Sequence, residues 1–376
     1  MKRVMLLDHS AVWGGGEVAI YNICKHLDGK KVRPLVVTAT DGPFVERLRK
    51  EGLAVKVAPL SERVRAKRKD TVGMLAILDL MAWLCIFRYV FSLVRLIRAE
   101  QIDIVHTCSL KAHLYGGLAA KLARKKLVWH VLDHIDTPYL PQTAVFFLRV
   151  LAKALPDIVV AISASNARTL RVRPEKLKII NCGTVVDSRP EPVPPLPPCK
   201  IALIGRIAPW KGQMVFLEAA RLLRHEPVEF IVAGAPLFGE QDYEQKLLDF
   251  VAANNLVKVK FTGFIEQVGE LLKEAHIVAH CSTIPEPFGQ VVIEAMAGGR
   301  MVIAADAGGP AEIVVNGRTG LLVEPGDPFA LAAAIKKVLA DPGSIGAYGC
   351  QGFLLAGEKY GMPSIAGEWE ALYTSL

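Results

Sequence analysis

Glu286 and Glu294 stand eight positions apart, the first ahead of a proline–aromatic–glycine turn, Pro287-Phe288-Gly289, and the second inside an apolar run. The stretch Val291–Ala297 reads as a helix, which places Glu294 about one to two turns in, at about 3.6 residues per turn. Phe288, Gly289 and Gln290 then sit at the helix start, where backbone N–H groups have no partner within the helix and favour an anion. Each carboxylate can accept strong hydrogen bonds from hydroxyls, one at either end of a ligand. A ligand both polyhydroxylated and negatively charged suits this arrangement, and a sugar nucleotide is such a molecule.

Three further groups carry possible chemistry. Arg206 and Lys211 lie five apart in Gly205-Arg206 and Pro209-Trp210-Lys211-Gly212, after the apolar run Lys200–Ile204. That is the carboxyl end of an expected strand, where open α/β sheets bind ligands. A guanidinium suits bidentate contact with a diphosphate and an ammonium supplies a point charge. At the amino end, Asp8 closes the first apolar run and Gly14-Gly15-Gly16-Glu17 opens a helix. Gly15 and Gly16 allow the main chain to approach a ligand closely, but the segment lacks a strict G-x-G-x-x-G. His130 ends the run Leu127–Trp129 and precedes Asp133, and His106 ends the run before it.

Together these motifs resemble retaining glycosyltransferases of family 4. Glu286 to Glu294 is similar to that family's E-x7-E, Gly205–Gly212 to its G-R-x-x-x-x-K-G, and Gly14–Glu17 to its G-G-x-E. Gly308-Gly309-Pro310-Ala311-Glu312-Ile313 and Asn316–Val323 match the elements that follow the carboxylate pair in order and spacing. Asn181-Cys182-Gly183 with Val186-Asp187 is similar to the N-G-V-D segment, with extra residues inserted, and Ser163 matches another recurring position. The resemblance covers nearly the whole chain and is strongest over 200–325. Met301 stands where the family usually has proline, a departure expected to leave the chemistry alone.

The elements that must position these residues are legible as alternation. Arg3–Leu7, Leu35–Thr38, Val55–Ala58, Ile104–His106, Leu127–His130 and Ile158–Ile162 are short apolar runs separated by helical patterns. Lys200–Ile204, Glu229–Val232, Val259–Phe261, Ile277–His280, Met301–Ala304 and Gly320–Val323 repeat the arrangement. Short buried strands alternating with helices imply an α/β fold with parallel sheets covered on both faces. Six prolines in Pro190–Pro198 can form neither a helix nor a central strand, and mark a stiff extended connector. The expected division is a first domain over 1–190, a proline-rich linker at 191–199 and a second domain over 200–359. The resemblance implies the GT-B arrangement, two Rossmann-like domains facing a central cleft. It also implies that the helical tail within 360–376 returns to the first domain.

With 376 residues the length favours two domains. The basic start Lys2-Arg3 is followed by an apolar run that ends at Asp8, too short for a signal peptide. Seven cysteines without paired spacing point to reduced thiols in a cytoplasmic protein, and no C-x-x-C pair suggests zinc. The net charge of +8 is split unevenly, with +15 over residues 1–190 and −7 over 191–376. Only one half therefore suits an anionic partner. No interleaving of aromatic and basic residues supports nucleic acid.

By resemblance, the first domain receives the acceptor and the second holds the donor, with UDP the expected nucleotide and GDP next. Transfer would retain the anomeric configuration. Arg206 and Lys211 would stabilise the leaving diphosphate, and Glu286 and the Phe288–Gln290 amides would bind sugar hydroxyls. Glu294 would take the ribose hydroxyls, with Gly15 and Gly16 near the donor phosphates and His130 facing the transferred sugar. Positive side chains and helix termini can do a metal's work on a diphosphate, and the chain has no D-x-D triplet. No metal or other cofactor is expected. Arg63, Arg65, Lys67, Arg68 and Lys69 precede the apolar stretch Val72–Ile97. Residues 63–97 are expected to meet an anionic membrane surface, with a lipid-linked or envelope glycan as acceptor. The competing readings are a sugar-nucleotide 2-epimerase of the same fold and a non-catalytic partner subunit.

Overall fold

The structure is a computed structural model that describes residues 1–62, 80–137, 139–237 and 239–376. The chain forms two compact units: Met1–Gly183 with Met362–Leu376, and Thr184–Gly361.

The first unit holds a seven-stranded parallel sheet. Its strands are β1 (Lys2–Asp8), β2 (Val32–Thr38), β3 (Val55–Val57), β4 (Ile104–Thr107), β5 (Lys126–Val131), β6 (Ile158–Ala161) and β7 (Leu177–Ile179). Their order is β3-β2-β1-β4-β5-β6-β7. Side chains alternate across the pleat. Val4, Leu6, Ile104, Val128 and Val160 therefore enter one core, and Met5, Leu7, Val105, Trp129 and Val159 the other. Residues of the helices Leu80–Ala99, Leu110–Leu122 and Gln142–Ala154 pack on the second of these faces. The helices Gly15–His26 and Met362–Ser375 cover the first. The tail helix earns that place with Ile365, Trp369, Leu372 and Tyr373, all buried.

The second unit holds a six-stranded parallel sheet. Its strands are β8 (Cys199–Ile204), β9 (Val228–Ala233), β10 (Val259–Gly263), β11 (Ile277–His280), β12 (Met301–Ala305) and β13 (Gly320–Val323). The order is β10-β9-β8-β11-β12-β13. In each sheet the winding reverses beside the first strand, between β1 and β4 and between β8 and β11. Ligands of doubly wound sheets bind at such a reversal, outside the carboxyl ends of the strands.

The proline-rich segment lies in the second unit, where its carbonyls are held from two sides. The Arg300 guanidinium is buried and donates to the Glu191 carbonyl at 2.6 Å, the Pro192 carbonyl at 2.9 Å and the Ala275 carbonyl at 3.2 Å. His276 Nε2 lies 3.2 Å from the Pro194 carbonyl oxygen. Prolines lack N–H groups, so a strand neighbour cannot satisfy this segment, and a fork of donors does so instead.

The basic residues Arg63, Arg65, Lys67, Arg68 and Lys69 lie outside the described residues. The apolar stretch that follows them is described from Leu80 on, as the helix Leu80–Ala99. Among the described residues no helix is long and apolar enough to cross a membrane.

Candidate functional site

In the second unit the loop after β8 and the segment after β11 are locked together. Gly212 has φ +75°, and a Cβ there would stand 1.8 Å from the Cys281 carbonyl oxygen. The Thr283 amide donates to the Trp210 carbonyl at 2.8 Å. Inside the loop, buried Gln213 donates from Nε2 to the Arg206 carbonyl at 2.8 Å and accepts from the Ala208 amide at 3.4 Å. These bonds set the directions of Arg206 and Lys211. Lys211 Nζ lies over the Trp210 ring, 4.6 Å from its centroid, and Arg206 Cζ is 5.7 Å from the same ring. Arg206 Nη1 is also 3.7 Å from Glu240 Oε1.

Glu286 is the centre of this group. Lys211 Nζ donates to its Oε1 at 2.6 Å, His280 Nε2 stands 3.1 Å from that oxygen, and the Ser282 hydroxyl donates to it. The carboxylate is buried. Burial alone would raise its pKa, but the charge of Lys211 and the neighbouring His280 hold it well below the usual carboxylate range. A fixed negative charge thus sits beside a fixed positive one, at the carboxyl ends of the two strands that flank the reversal.

The glycines of the next element hold Glu286 by its backbone. The Gly309 amide donates to the Glu286 carbonyl at 2.8 Å. A Cβ at Gly308, whose φ is +64°, would meet the Glu286 carbonyl oxygen at 2.4 Å, and one at Gly309 the Phe288 carbonyl oxygen at 2.1 Å. The Phe288 side chain is buried edge-on against Tyr360, so the ring anchors the turn. Gly289 caps the helix Gln290–Ala297 with φ +105°.

Within that helix, Gln290 Nε2 donates to Glu294 Oε1 at 3.0 Å. Glu294 keeps partial contact with solvent, yet burial pushes its pKa up to about 7, against an ordinary value near 4.5. Because the folded value is the higher one, ionisation of Glu294 opposes folding. The cost is absent below about pH 4.5 and complete above about pH 7. Glu294→Gln, which keeps the shape, is expected to raise the melting temperature at pH 8 and leave it unchanged at pH 4. An equal shift at both pH values would show that charge is not the cause.

The other sequence candidates lie in the first unit. Gly15 and Gly16 begin the helix Gly15–His26. A Cβ at Gly15 would meet nothing within 4 Å, and one at Gly16 would lie 3.2 Å from Leu132 Cδ1. Glu17 beside them has its pKa pushed up to about 7, by burial first and then by the charge of Asp8. His130 lies at the carboxyl end of β5 and is buried against His106 and Trp369, with ring centroids 5.1 and 4.8 Å away. Burial brings its pKa down to about 3, so the imidazole is neutral. Among the described residues its Nδ1 and the Nε2 of His106 have no hydrogen-bond partner, while His106 Nδ1 pairs with the Tyr373 hydroxyl at 2.6 Å. His106, Cys108 and His130 bring ligand-type atoms within 4.8 Å of one another, all buried.

His280, Ser282 and Gln213 complete the Glu286 and Arg206–Lys211 geometry and were not singled out by sequence. The available signal was position. His280 ends a strand and Ser282 stands four before Glu286, but their value depends on β11 pairing with β8.

Comparison with known proteins gives the family and the fold. The family model described as "Glycosyltransferase Family 4" matches residues 13–188, and that described as "Glycosyl transferases group 1" matches residues 187–348. The chain belongs to the family 4 glycosyltransferases, with the GT-B fold. A crystal structure of Anabaena Alr3699/HepE in complex with UDP and glucose is similar over the full length of both chains, at 28% identity and a TM-score of 0.84. Among curated relatives, a glycogen synthase of Mycobacterium tuberculosis is 33% identical over 151 residues, 39% of this chain and 35% of that protein. The lipopolysaccharide core biosynthesis mannosyltransferase LpcC of Rhizobium leguminosarum bv. viciae is 30% identical over 179 residues, 47% of this chain and 51% of that protein. The chain thus spans about a third to a half of the length of these curated relatives.

Proposed function

We propose that this chain transfers a sugar from a nucleoside diphosphate sugar, UDP ahead of GDP, to a lipid-linked or cell-envelope glycan, with retention at the anomeric carbon and without a divalent ion. The observation that carries the reading is the pairing of Lys211 with buried Glu286 at the carboxyl ends of β8 and β11, with Glu294 one helix further on. UDP is preferred because the Anabaena protein that resembles this chain over its full length binds it.

In this reading the Arg206 guanidinium and Lys211 ammonium take up the charge that develops on the departing diphosphate. Such preorganised charge costs no reorganisation at the moment of reaction. Glu286 accepts from hydroxyls of the transferred sugar, and the backbone of Phe288, Gly289 and Gln290 donates to them. Glu294 accepts from the ribose hydroxyls. The open space at Gly15, beside Gly16, is what a close approach of backbone to donor leaves. Neutral His130, at the carboxyl end of β5, contacts the transferred sugar near the transfer site. The bond from the anomeric carbon to the diphosphate oxygen breaks as the acceptor oxygen bonds on the same face, and the acceptor proton passes to the leaving phosphate. The proposal places the protein in the cytoplasm, at the inner face of the membrane.

Incubation with UDP-, GDP-, ADP- and dTDP-sugars, with and without envelope lipid extract and EDTA, tests this. The expected result is release of one nucleoside diphosphate, stimulated by extract and indifferent to EDTA, and about 100-fold slower in Glu286→Gln, by the scale for a lost transition-state contact. Conversion of the donor into an isomer without acceptor would replace transfer with epimerisation. No turnover of any donor would favour a binding subunit.

A further inference from the structure

The outer face of the three helices that cover one side of the first sheet is apolar and basic. Leu84 and Phe91 on the helix Leu80–Ala99, Leu118 and Leu122 on Leu110–Leu122, and Phe146 and Phe147 on Gln142–Ala154 are all exposed. Spacings of seven for Leu84 and Phe91 and of four for Leu118 and Leu122 put each of these pairs on one side of its helix, and Phe146 and Phe147 are neighbours in the chain. The opposite sides, through Leu93, Val94, Ala119 and Leu148, are already buried in the core of this unit. These helices are thus apolar on two sides, and the described residues cover only one. Phe146 is 71% exposed and Phe91 57%, and large apolar side chains gathered on neighbouring helices mark a contact surface where singly scattered ones do not.

The charge on the same helices has a single sign. Arg88, Arg95, Arg98 and Lys153 are exposed, and the three helices contain no Asp or Glu at any position. The nearby acids are already paired, Asp157 with Lys121 and Asp136 with Arg149. A surface that offers large apolar side chains among cations, with no acid on the helices that carry them, matches the boundary of an anionic bilayer. There, rings and leucines enter the acyl region while Arg and Lys reach lipid phosphates. A protein partner would also cover apolar groups, but a folded partner's surface is usually mixed in charge, whereas an anionic leaflet presents a net negative potential across its whole surface.

We infer that the three-helix face of the first unit docks on an anionic lipid bilayer, through its exposed Phe and Leu side chains and the basic residues among them. The docking surface then lies on Leu80–Ala99, Leu110–Leu122 and Gln142–Ala154 together. The inference deepens the proposed lipid-linked acceptor and rests on that reading for its purpose. Its test uses neither donor nor acceptor, so its failure leaves the transfer reading standing.

The full chain is sedimented with vesicles of pure phosphatidylcholine and of phosphatidylcholine with phosphatidylglycerol. Binding is expected to the mixed vesicles and to weaken with salt. Phe146→Ser/Phe147→Ser and, separately, Leu84→Ser/Phe91→Ser are each expected to lower it at least about tenfold. Arg88→Glu/Arg95→Glu is expected to abolish the preference for phosphatidylglycerol. All three variants replace exposed side chains, and each is checked for an unchanged melting temperature and unchanged shift by UDP. Absence of binding by the parent, or full binding by both serine variants, would overturn the inference. So would a dimer of the parent, without vesicles, that the serine variants dissolve.

Discussion

Lys211→Met is expected to destabilise the second unit and to abolish nucleotide binding together. The ammonium is 2.6 Å from a buried carboxylate, and removing it leaves Glu286 with His280 and Ser282 among the described residues. Breaking one side of a buried pair costs about 3–5 kcal/mol. Lys211 retains some exposure, so about 2–4 kcal/mol is expected. The pH dependence separates this from a packing effect. Glu286 has a folded pKa below that of the free chain, so its contribution is present above the free-chain value and lost as pH falls through the folded one. Without Lys211 the folded value rises, and the acid limb of the stability curve moves to higher pH. Melting curves from pH 3 to 8 would read this. An acid limb in the same place for parent and variant would mean that Lys211 does not hold the charge of Glu286.

Gly212→Ala is expected to be at least as damaging, for a reason of shape. Its Cβ would fall 1.8 Å from the Cys281 carbonyl oxygen and 2.7 Å from the carbonyl carbon, both backbone atoms, at a φ of +75°. The left-handed conformation alone costs a residue with a Cβ about 1 kcal/mol. The clash adds displacement of the loop from the end of β11, for a total of about 4 kcal/mol or more. Gly15→Ala is the contrast. It meets nothing within 4 Å, so stability is expected to change by about 0.5 kcal/mol or less while donor affinity falls. Thermal melting with and without nucleotide distinguishes the two. A Gly212→Ala protein that melts like the parent would show that the contact of this loop with Cys281 is not what places Lys211.

These two residues also mark what the sequence could and could not show. Strands such as Ile277–His280 and Gly320–Val323 are legible because an unbroken apolar run ends at polar or glycine residues, and the structure has them at the same positions. β7 escapes notice because Leu177-Lys178-Ile179 is too short to show a period. The Glu286 motif and the Arg206–Lys211 loop are each readable as local chemistry, but their meeting depends on β8 lying beside β11, a pairing between distant segments. His280 and Ser282 were missed for that reason. So was the need for Gly308 and Gly309, which reads as a turn until the Glu286 backbone is seen against it. His130 is legible as a strand-end histidine, but its burial comes from Trp369, supplied by the far end of the chain. The helix Leu80–Ala99 falls largely within the stretch that the sequence marks for a membrane. The outer faces of Leu110–Leu122 and Gln142–Ala154 are hidden, since an apolar residue on a helix does not announce which side the core will use.

The central claim is that Glu294 and the Lys211–Glu286 pair hold a nucleoside diphosphate sugar. It is tested most directly by thermal stabilisation with UDP, GDP, ADP and dTDP, with and without EDTA, in the parent and in Glu294→Ala. The predicted result is a clear upward shift with one nucleotide, UDP first, unchanged by EDTA and strongly reduced in the variant. The shift should also grow from pH 6 to pH 8, as Glu294 ionises through its value of about 7 and becomes the stronger acceptor. A parent that no nucleotide stabilises, or a shift that Glu294→Ala leaves intact, would contradict the account.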